Sequence, residues 1–277
     1  MKVNFFAKAT AAVLAVLMLI PCIHAANDKS KDGYRVYVRG VRINCRVTDG
    51  TVCVPFRTFC EEMTDRGAVV SWDGDTNTAS AVWSSTVIEV RAGEEYITAN
   101  GRCFWCGVVN IIDDGTMYVS ADALARAFGS ETVYNDTRSR ITVADGGSII
   151  SGDEYYDKTE LFWLSRIISA ESRGEPLYGK IAVGTVVYNR VASDRYPDTV
   201  YGVIFDMKNG VQFSPAYSGS VFRTPTEESV IAAKLCMEGA RVPGEPMYFC
   251  TTEIMETSWA GRSRPYIATI GGHAFFA

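Results

Sequence analysis

The sequence predicts two domains of the α+β class, a β-rich N-terminal repeat domain followed by a mainly helical domain with a small β element. A six-residue motif occurs twice in the first half of the chain, and the spacing of apolar residues becomes helical from Lys158 onwards. The chain has 277 residues, of which 47% are hydrophobic and 21% charged, so each domain can bury a core of its own.

The N-terminus predicts a signal peptide that ends at Ala26. Lys2 and Lys8 flank a short basic start, residues 9–20 carry no charge, and small residues follow. The apolar run is shorter than the roughly 20 residues that cross a bilayer, so an uncleaved anchor is the weaker alternative. A lipid on Cys22 is also weaker, because a proline precedes this cysteine. We therefore expect an exported protein.

Charge and histidine content disfavour two classes of function. Without residues 1–26 the chain has 25 basic and 32 acidic residues, a net charge of about −7, which argues against a nucleic-acid partner. His24 lies in the segment expected to be removed. His273 then remains as a single histidine, too few for a histidine-based metal site. We expect no metal and no cofactor.

Seven cysteines remain after the predicted cleavage, in a chain expected to meet an oxidising compartment. Cys103 and Cys106 form a C-x-x-C motif, for which a redox pair, half of a zinc site and a local disulfide are the alternatives. The sequence has no second C-x-x-C, which disfavours zinc. If Asp49-Gly50 closes a two-residue hairpin, Cys45 and Cys53 point to opposite faces of it and do not pair.

The first half of the chain contains an internal repeat. Residues 49–54, Asp-Gly-Thr-Val-Cys-Val, recur 65 positions later as Asp-Gly-Thr-Met-Tyr-Val. After each copy come an apolar-spaced stretch and an extended segment with a polar turn, at 69–83 and at 132–143. Each unit is therefore predicted as a hairpin, a helix and a second hairpin.

This half resembles the copper amine oxidase N-terminal-like domain. The matching residues are Val54-Pro55-Phe56-Arg57 and Trp72-Asp73-Gly74-Asp75-Thr76. A copper oxidase needs a cluster of histidine ligands, so no copper is expected here despite the family's name. The resemblance implies a wall-associated or positioning module, which contacts the wall or another protein.

A helical stripe places one glutamate among apolar residues in the second half. Within residues 159–173, Leu164, Ile167 and Ile168 recur at helical spacing, and a glycine and a proline end the run. Glu171 follows them by seven, four and three residues, so it shares their face. Burial would raise the pKa of its carboxyl, as a general acid near neutral pH requires. The alternative is that the stripe has already reached solvent at this point.

Two neighbouring residues leave alternatives open. Glu175 would stack on Glu171 in a continuous helix, but Gly174 and Pro176 bias it out of the helix, so a local structural or groove role is favoured over a catalytic one. Arg190, on the next predicted helix, is interpreted either as a partner that orients a carboxylate or as a solvated cation at the helix end.

The second half resembles the SleB/CwlJ cell-wall hydrolase family, which includes spore cortex-lytic enzymes. The resemblance begins in residues 167–176, continues through 178–191 and closes at 270–275, and it covers nearly all of 158–277. Its acidic block reads Glu171-Ser172-Arg173-Gly174-Glu175, with serine where alanine is usual. Gly272 and Phe276 stand where asparagine and tyrosine are commoner, which puts any role of those family side chains in doubt.

The resemblance implies a lysozyme-like or lytic-transglycosylase-like fold with Glu171 as the catalytic acid. Such an enzyme protonates the glycosidic oxygen between N-acetylmuramic acid and N-acetylglucosamine. Either water or the 6-hydroxyl of the muramic acid completes the cut. The expected substrate is peptidoglycan of the spore cortex or the vegetative wall, cleaved in sporulation, germination or wall remodelling.

A sugar groove also needs flat apolar faces and polar side chains. For Phe213, Tyr248 and Trp259 a place in the core is favoured over the groove, and His273 is favoured as a strand-end hydrogen-bonding residue. The candidates for substrate binding are Glu175, Tyr178, Gln212, Phe213, Tyr248 and Trp259.

A protein that binds the wall without cutting it is the alternative function, and an amidase is disfavoured because it would need more metal ligands. The predicted division of the chain is a signal peptide at 1–26, the repeat domain at 33–145, a linker at 146–157 and the hydrolase domain at 158–277.

Overall fold

The computed structural model describes residues 33–208 and 210–277, so the predicted signal peptide lies outside the described residues. The first region is rich in strands. Its elements are β1 (Arg35–Val38), β2 (Val41–Ile43), β3 (Arg46–Thr48), β4 (Thr51–Pro55), α1 (Phe56–Met63), β5 (Val69–Asp73), β6 (Thr78–Trp83), β7 (Thr86–Arg91), β8 (Tyr96–Ala99), β9 (Arg102–Trp105), β10 (Ile111–Asp113), β11 (Thr116–Ser120), α2 (Ala121–Ala127), β12 (Thr132–Asn135) and β13 (Arg140–Val143).

These strands form three sheets. Their orders are β12-β13-β1-β2, β10-β11-β4-β3 and β5-β6-β7-β8-β9. All neighbouring strands are antiparallel except β1 and β13, which run parallel. The β-rich N-terminal part of the predicted fold is therefore confirmed, and both extended segments, 69–83 and 132–143, contain the pair of strands that their patterns predict.

The repeated motif owes its shape to two Asp-Gly turns. Asp49 and Gly50 have φ values of +47° and +80°, and Asp114 and Gly115 have +47° and +68°. Left-handed backbone at both turn positions matches the twist of a tight hairpin, which explains why Asp-Gly occurs in each copy. The second strands of the two hairpins, β4 and β11, pair with each other in an antiparallel register.

The cysteines follow from this register. Cys53 lies opposite Arg46 in the first hairpin, as expected, so Cys45 and Cys53 do not pair. Every cysteine in the described part of the chain is free, including Cys103 and Cys106, which are both buried. The C-x-x-C motif thus contributes to packing in this structure: Cys106 lies in the core of the β-rich region and Cys103 in the core of the helical region.

The second region is mainly helical and ends in a small antiparallel sheet of order β14-β16-β15. Its elements are α3 (Gly152–Tyr155), α4 (Lys158–Ser172), α5 (Leu177–Val191), α6 (Val200–Ile204), α7 (Ser214–Ser218), α8 (Glu227–Met237), β14 (Tyr248–Thr251), α9 (Trp259–Ser263), β15 (Tyr266–Ile270) and β16 (His273–Phe276). Within 33–208 and 210–277 no helix is long and apolar enough to cross a membrane.

Helices α4, α5 and α8 surround the core of this region, and small residues let them approach closely. A Cβ added at Gly184 of α5 would lie 2.6 Å from the Cys236 Sγ of α8, so only glycine fits there. Leu164, Ile167 and Ile168 are completely buried on α4, as their spacing predicts.

A buried carboxylate joins the two regions. Glu238, just after α8, accepts two hydrogen bonds of 2.7 and 2.8 Å from the Arg102 guanidinium of β9, and one of 3.1 Å from the Tyr156 hydroxyl. The carbonyl of Glu238 accepts a further bond from Arg126. Tyr156 belongs to the predicted linker, which here contains α3. The Tyr156 hydroxyl also accepts a hydrogen bond of 3.0 Å from the Cys103 backbone N–H, so the linker packs against the β-rich region.

Candidate active site

Glu171 lies in the last turn of α4, on the same face as the buried leucine and isoleucines. Its side chain is half-buried, and across the described residues no hydrogen bond or ion pair holds its carboxylate. Burial raises the pKa of Glu171 to about 7, because the charged form loses hydration, and the positive charge of Arg190 opposes this effect. The Glu171 carboxyl is therefore desolvated, as its place on the apolar face of the helix predicts. The catalytic role of Glu171 stays a prediction.

Arg190 is buried at the end of α5. Its Nε donates a hydrogen bond of 2.9 Å to the Met247 carbonyl, and its guanidinium lies over three aromatic rings. The guanidinium carbon is 4.9 Å from the ring centre of Phe213, 5.2 Å from Tyr196 and 5.6 Å from Tyr248. The solvated alternative for Arg190 is thus wrong. The Arg190 guanidinium packs against ring faces and lies close enough to Glu171 to lower the pKa of that carboxyl.

Glu175 leaves the helix, as the flanking glycine and proline predict. Its Oε2 accepts a hydrogen bond of 2.8 Å from the Gly272 backbone, and its Oε1 lies 3.7 Å from His273 Nδ1. A Cβ at Gly271, where φ is +57°, would lie 1.9 Å from Glu175 Oε2. The Gly271-Gly272 pair therefore makes room for this carboxylate, which ties the loop after α4 to the turn between β15 and β16.

Lys180 also holds the loop after α4 in place, and the sequence patterns did not identify this role. Its side chain is only 1% exposed, and its ammonium donates to the Glu175 carbonyl and, at 2.6 Å, to Glu228 Oε2 of α8. A lysine in an otherwise apolar and glycine-rich helix is the signal that could have revealed it, because a buried lysine must find acceptors.

The predicted aromatic residues divide into two environments. Tyr248 and Trp259 pack edge to face with ring centres 5.3 Å apart, and Tyr196 donates a hydrogen bond of 3.1 Å to the Tyr248 hydroxyl. Trp259 is 56% exposed, so the core position favoured for it is wrong and its indole is accessible to a ligand. Phe213 is buried against Phe249, in agreement with the core alternative for this residue.

Gln212 and Tyr178 have other contacts. Gln212 is half-buried and donates a hydrogen bond of 3.1 Å to the Gly210 carbonyl. Tyr178 stacks on Trp105 of β9, with ring centres 6.1 Å apart and planes at 15°. The C-x-x-C motif thus supplies an aromatic ring to the helical region. This contact could not be inferred from the sequence, because it joins the two domains.

The structure therefore groups Glu171, Arg190 and the rings around Tyr248. Among residues 33–208 and 210–277 no three histidine, cysteine or acidic side chains are arranged to hold a metal ion. The chemistry available at the group is that of a carboxyl that keeps its proton near neutral pH, next to aromatic and cationic surfaces.

Comparison with known proteins places both halves of the chain. Residues 174–276 match the family model described as Cell Wall Hydrolase, and residues 40–143 match the Copper amine oxidase N-terminal domain. The first match begins just after Glu171, so the assignment of that residue depends on its motif and geometry.

Similar proteins cover the helical half. A spore cortex-lytic enzyme of Bacillus cereus is 32% identical over 120 residues, which are 43% of this chain and 45% of that protein. One from Halalkalibacterium halodurans is also 32% identical over 120 residues, 35% of its length. The chain thus spans less than half the length of these relatives. The solved catalytic domain of the germination-specific lytic transglycosylase SleB from Bacillus anthracis is 32% identical, with 47% of this chain and all of that domain covered and a TM-score of 0.40.

Proposed function

Since the chain combines a cell-wall hydrolase domain with a copper amine oxidase N-terminal domain, we propose that it cleaves the glycan strand of peptidoglycan between N-acetylmuramic acid and N-acetylglucosamine. The observation that carries this proposal is the half-buried Glu171 carboxyl, whose pKa is raised to about 7 and which lies three residues before the family-matched range 174–276. The named relatives are spore cortex-lytic enzymes, which supports the spore cortex as the substrate.

In the first step the Glu171 carboxyl donates its proton to the glycosidic oxygen, and the bond from that oxygen to the muramic C1 breaks. The resulting carboxylate then accepts the proton of the muramic 6-hydroxyl while its oxygen bonds to C1. The products are a 1,6-anhydromuramic end and a free N-acetylglucosamine hydroxyl, and Glu171 regains its proton. No water is consumed in this route.

The position of Glu175 supports this route over hydrolysis with a second carboxylate. Hydrolysis with inversion needs a separate base that activates water. One Glu175 oxygen is already engaged by the Gly272 backbone and the other faces His273. Glu171 is then left to act as acid and base in turn, which is the transglycosylase mechanism.

We propose the remaining features of the enzyme on the same basis. The helical domain at 158–277 has a lytic-transglycosylase-like fold, the module at 33–145 positions it, and 146–157 connects them. Tyr248 and Trp259 contribute the sugar-binding surface, with Gln212 and Tyr178 at its margins and Phe213 supporting it from the core. The protein is exported and acts outside the membrane, without a cofactor.

Zymography with purified cortex sacculi tests the proposal. The native chain is expected to clear the gel and Glu171→Gln to leave it intact, with Glu227→Gln, an exposed carboxylate on α8, as the matched control. Mass spectrometry of the digest distinguishes the products. Anhydromuramic ends establish transglycosylation and reducing ends establish hydrolysis. Free peptides would overturn the glycosidase assignment in favour of an amidase, and the absence of any product would leave a wall-binding protein.

A further inference from the structure

A groove of 490 Å³ in the β-rich region is not used by the mechanism above. Strand β5, at the edge of the five-stranded sheet, forms one side, and the turn and start of β11 form the opposite side. The first turn of α1 closes the end. The rim of the groove includes Arg57, Thr58, Ser71, Trp72 and Thr116.

The groove has an apolar floor and an amphipathic rim. Phe56, Ala79 and Met117 are buried beneath it. On the rim, Trp72 is 47% exposed although it is a large aromatic side chain, and its partner across the strand pair is the small Ala79. The missing side-chain bulk opposite the indole leaves one of its faces accessible to a ligand.

Polar groups on the rim complement a sugar that carries an acid. Thr58, Ser71 and Thr116 provide hydroxyls that can donate and accept hydrogen bonds. Arg57 is 60% exposed on its side chain and is the charged residue of the lining, where no acidic residue occurs. Its contact with Glu61 is long, at 3.9 Å, so the guanidinium remains available. The chain as a whole is acidic, yet the groove lining contains a cation and no carboxylate. This favours an anionic ligand.

We propose that this groove binds the peptidoglycan glycan strand itself, at a muramic acid residue. The indole of Trp72 covers the apolar face of a sugar ring, the three hydroxyls bind its acetamido and hydroxyl groups, and Arg57 pairs with the lactyl carboxylate. This carboxylate is free only at a muramic acid without a stem peptide, because the peptide is attached to it as an amide, so the groove selects peptide-free stretches of the strand. This second glycan site rests on the proposed function, because it assumes the same polymer as substrate. It holds the strand while the helical domain cuts elsewhere along it.

The two motifs by which the N-terminal half resembles its family meet in this groove. Arg57 closes the first motif and Trp72 opens the second, yet they are 15 positions apart and on different elements. The Asp-Gly turn of the second repeat contributes Gly115 from the other side. The fold therefore brings these residues together in one groove, which the predicted hairpins alone did not indicate.

Calorimetric titration of the full chain tests the proposal in a Glu171→Gln background, which prevents turnover. The probe is a tetrasaccharide of alternating N-acetylglucosamine and N-acetylmuramic acid. Two molecules are expected to bind per chain, and Trp72→Ala is expected to reduce this to one, whereas Trp72→Phe retains both. Val69→Ala, on the same strand and outside the groove lining, is the matched control and should bind two.

Arg57→Gln separates acid recognition from stacking. It should weaken the groove site about tenfold for the muramic tetrasaccharide, whereas binding of chitotetraose, which lacks the carboxylate, stays unchanged. Retention of both sites in Trp72→Ala, or binding of the stem peptide alone in the groove, would overturn the proposal. Thermal unfolding confirms that each variant is folded. Failure of the proposed function is distinct, because it appears as a native chain that does not cleave sacculi.

Discussion

Glu175 Oε2 accepts a hydrogen bond of 2.8 Å from the backbone N–H of Gly272, and this bond connects the loop after α4 to the β15–β16 turn. The contact requires the neighbouring Gly271 to lack a side chain. It places the end of the Glu171 helix in a fixed relation to the small sheet, from which Tyr248 projects.

Gly271→Ala is expected to destabilise the protein by about 2 kcal/mol or more, because the new Cβ meets Glu175 Oε2 and the backbone is left-handed at φ +57°. Denaturant unfolding of the native chain and the variant measures the free energy. Gly147→Ala is the control, since nothing lies within 4 Å of a Cβ there. Equal losses for the two variants would contradict the role of the Glu175 contact.

Cleavage should depend on the protonated form of Glu171. Because its pKa is raised to about 7, kcat/KM is expected to fall about tenfold for each pH unit above that value. A pH profile measured on soluble glycan fragments checks this. A rate that stays constant from pH 6 to pH 9 would exclude Glu171 as the general acid.

The same carboxyl should make stability depend on pH. The folded chain keeps the Glu171 proton up to about pH 7, whereas the unfolded chain loses it near the ordinary value of 4.5. The folded state therefore binds more protons in this window, and the free energy of unfolding falls as the pH rises through it. Glu171→Gln should remove this dependence, and at pH 8 it should be more stable than the native chain by about 2 kcal/mol, allowing for the solvent that reaches the half-buried carboxyl. Unfolding curves at pH 5 and pH 8 would show it, and a variant less stable at both would contradict it.

Removing the Arg190 charge should move the activity profile. Its cation opposes the rise in the Glu171 pKa, so Arg190→Met is expected to shift the alkaline limb of the pH profile to higher pH. Arg190→Lys keeps the charge and should leave the limb close to its native position, whereas Arg190→Met also loses the hydrogen bond to the Met247 carbonyl. A lower rate with an unshifted limb in Arg190→Met would assign Arg190 to packing alone.

The interface around Glu238 should couple the unfolding of the two regions. Glu238→Ala leaves Arg102 and Arg126 without their buried counter-charge, and a loss of about 3–5 kcal/mol is expected. Scanning calorimetry is expected to show one transition for the native chain and two for the variant. Glu256→Ala removes an exposed carboxylate and should retain the single transition. A single unshifted transition in Glu238→Ala would show that the contact does not couple the regions.

Local patterns in the sequence were sufficient for much of the fold. Alternation and Asp-Gly turns predicted the hairpins of the first half, because the backbone conformation at those turns depends on the residues themselves. Helical spacing put Glu171 on a buried face, because 3.6 residues per turn align positions three, four and seven apart. The family resemblance then indicated peptidoglycan, which agrees with the cell-wall hydrolase match.

Contacts between distant segments were decided only by the tertiary structure. Whether Arg190 is solvated or buried depends on Phe213 and Tyr248, which come from other elements. The Tyr178 ring stacks on Trp105 across the domain interface, and Arg57 and Trp72 line the same groove. None of these pairs has a sequence spacing that predicts it. Desolvation, ion pairing and stacking are short-range effects in space, so the sequence specified which groups were available and the packing of the two regions determined which of them touch.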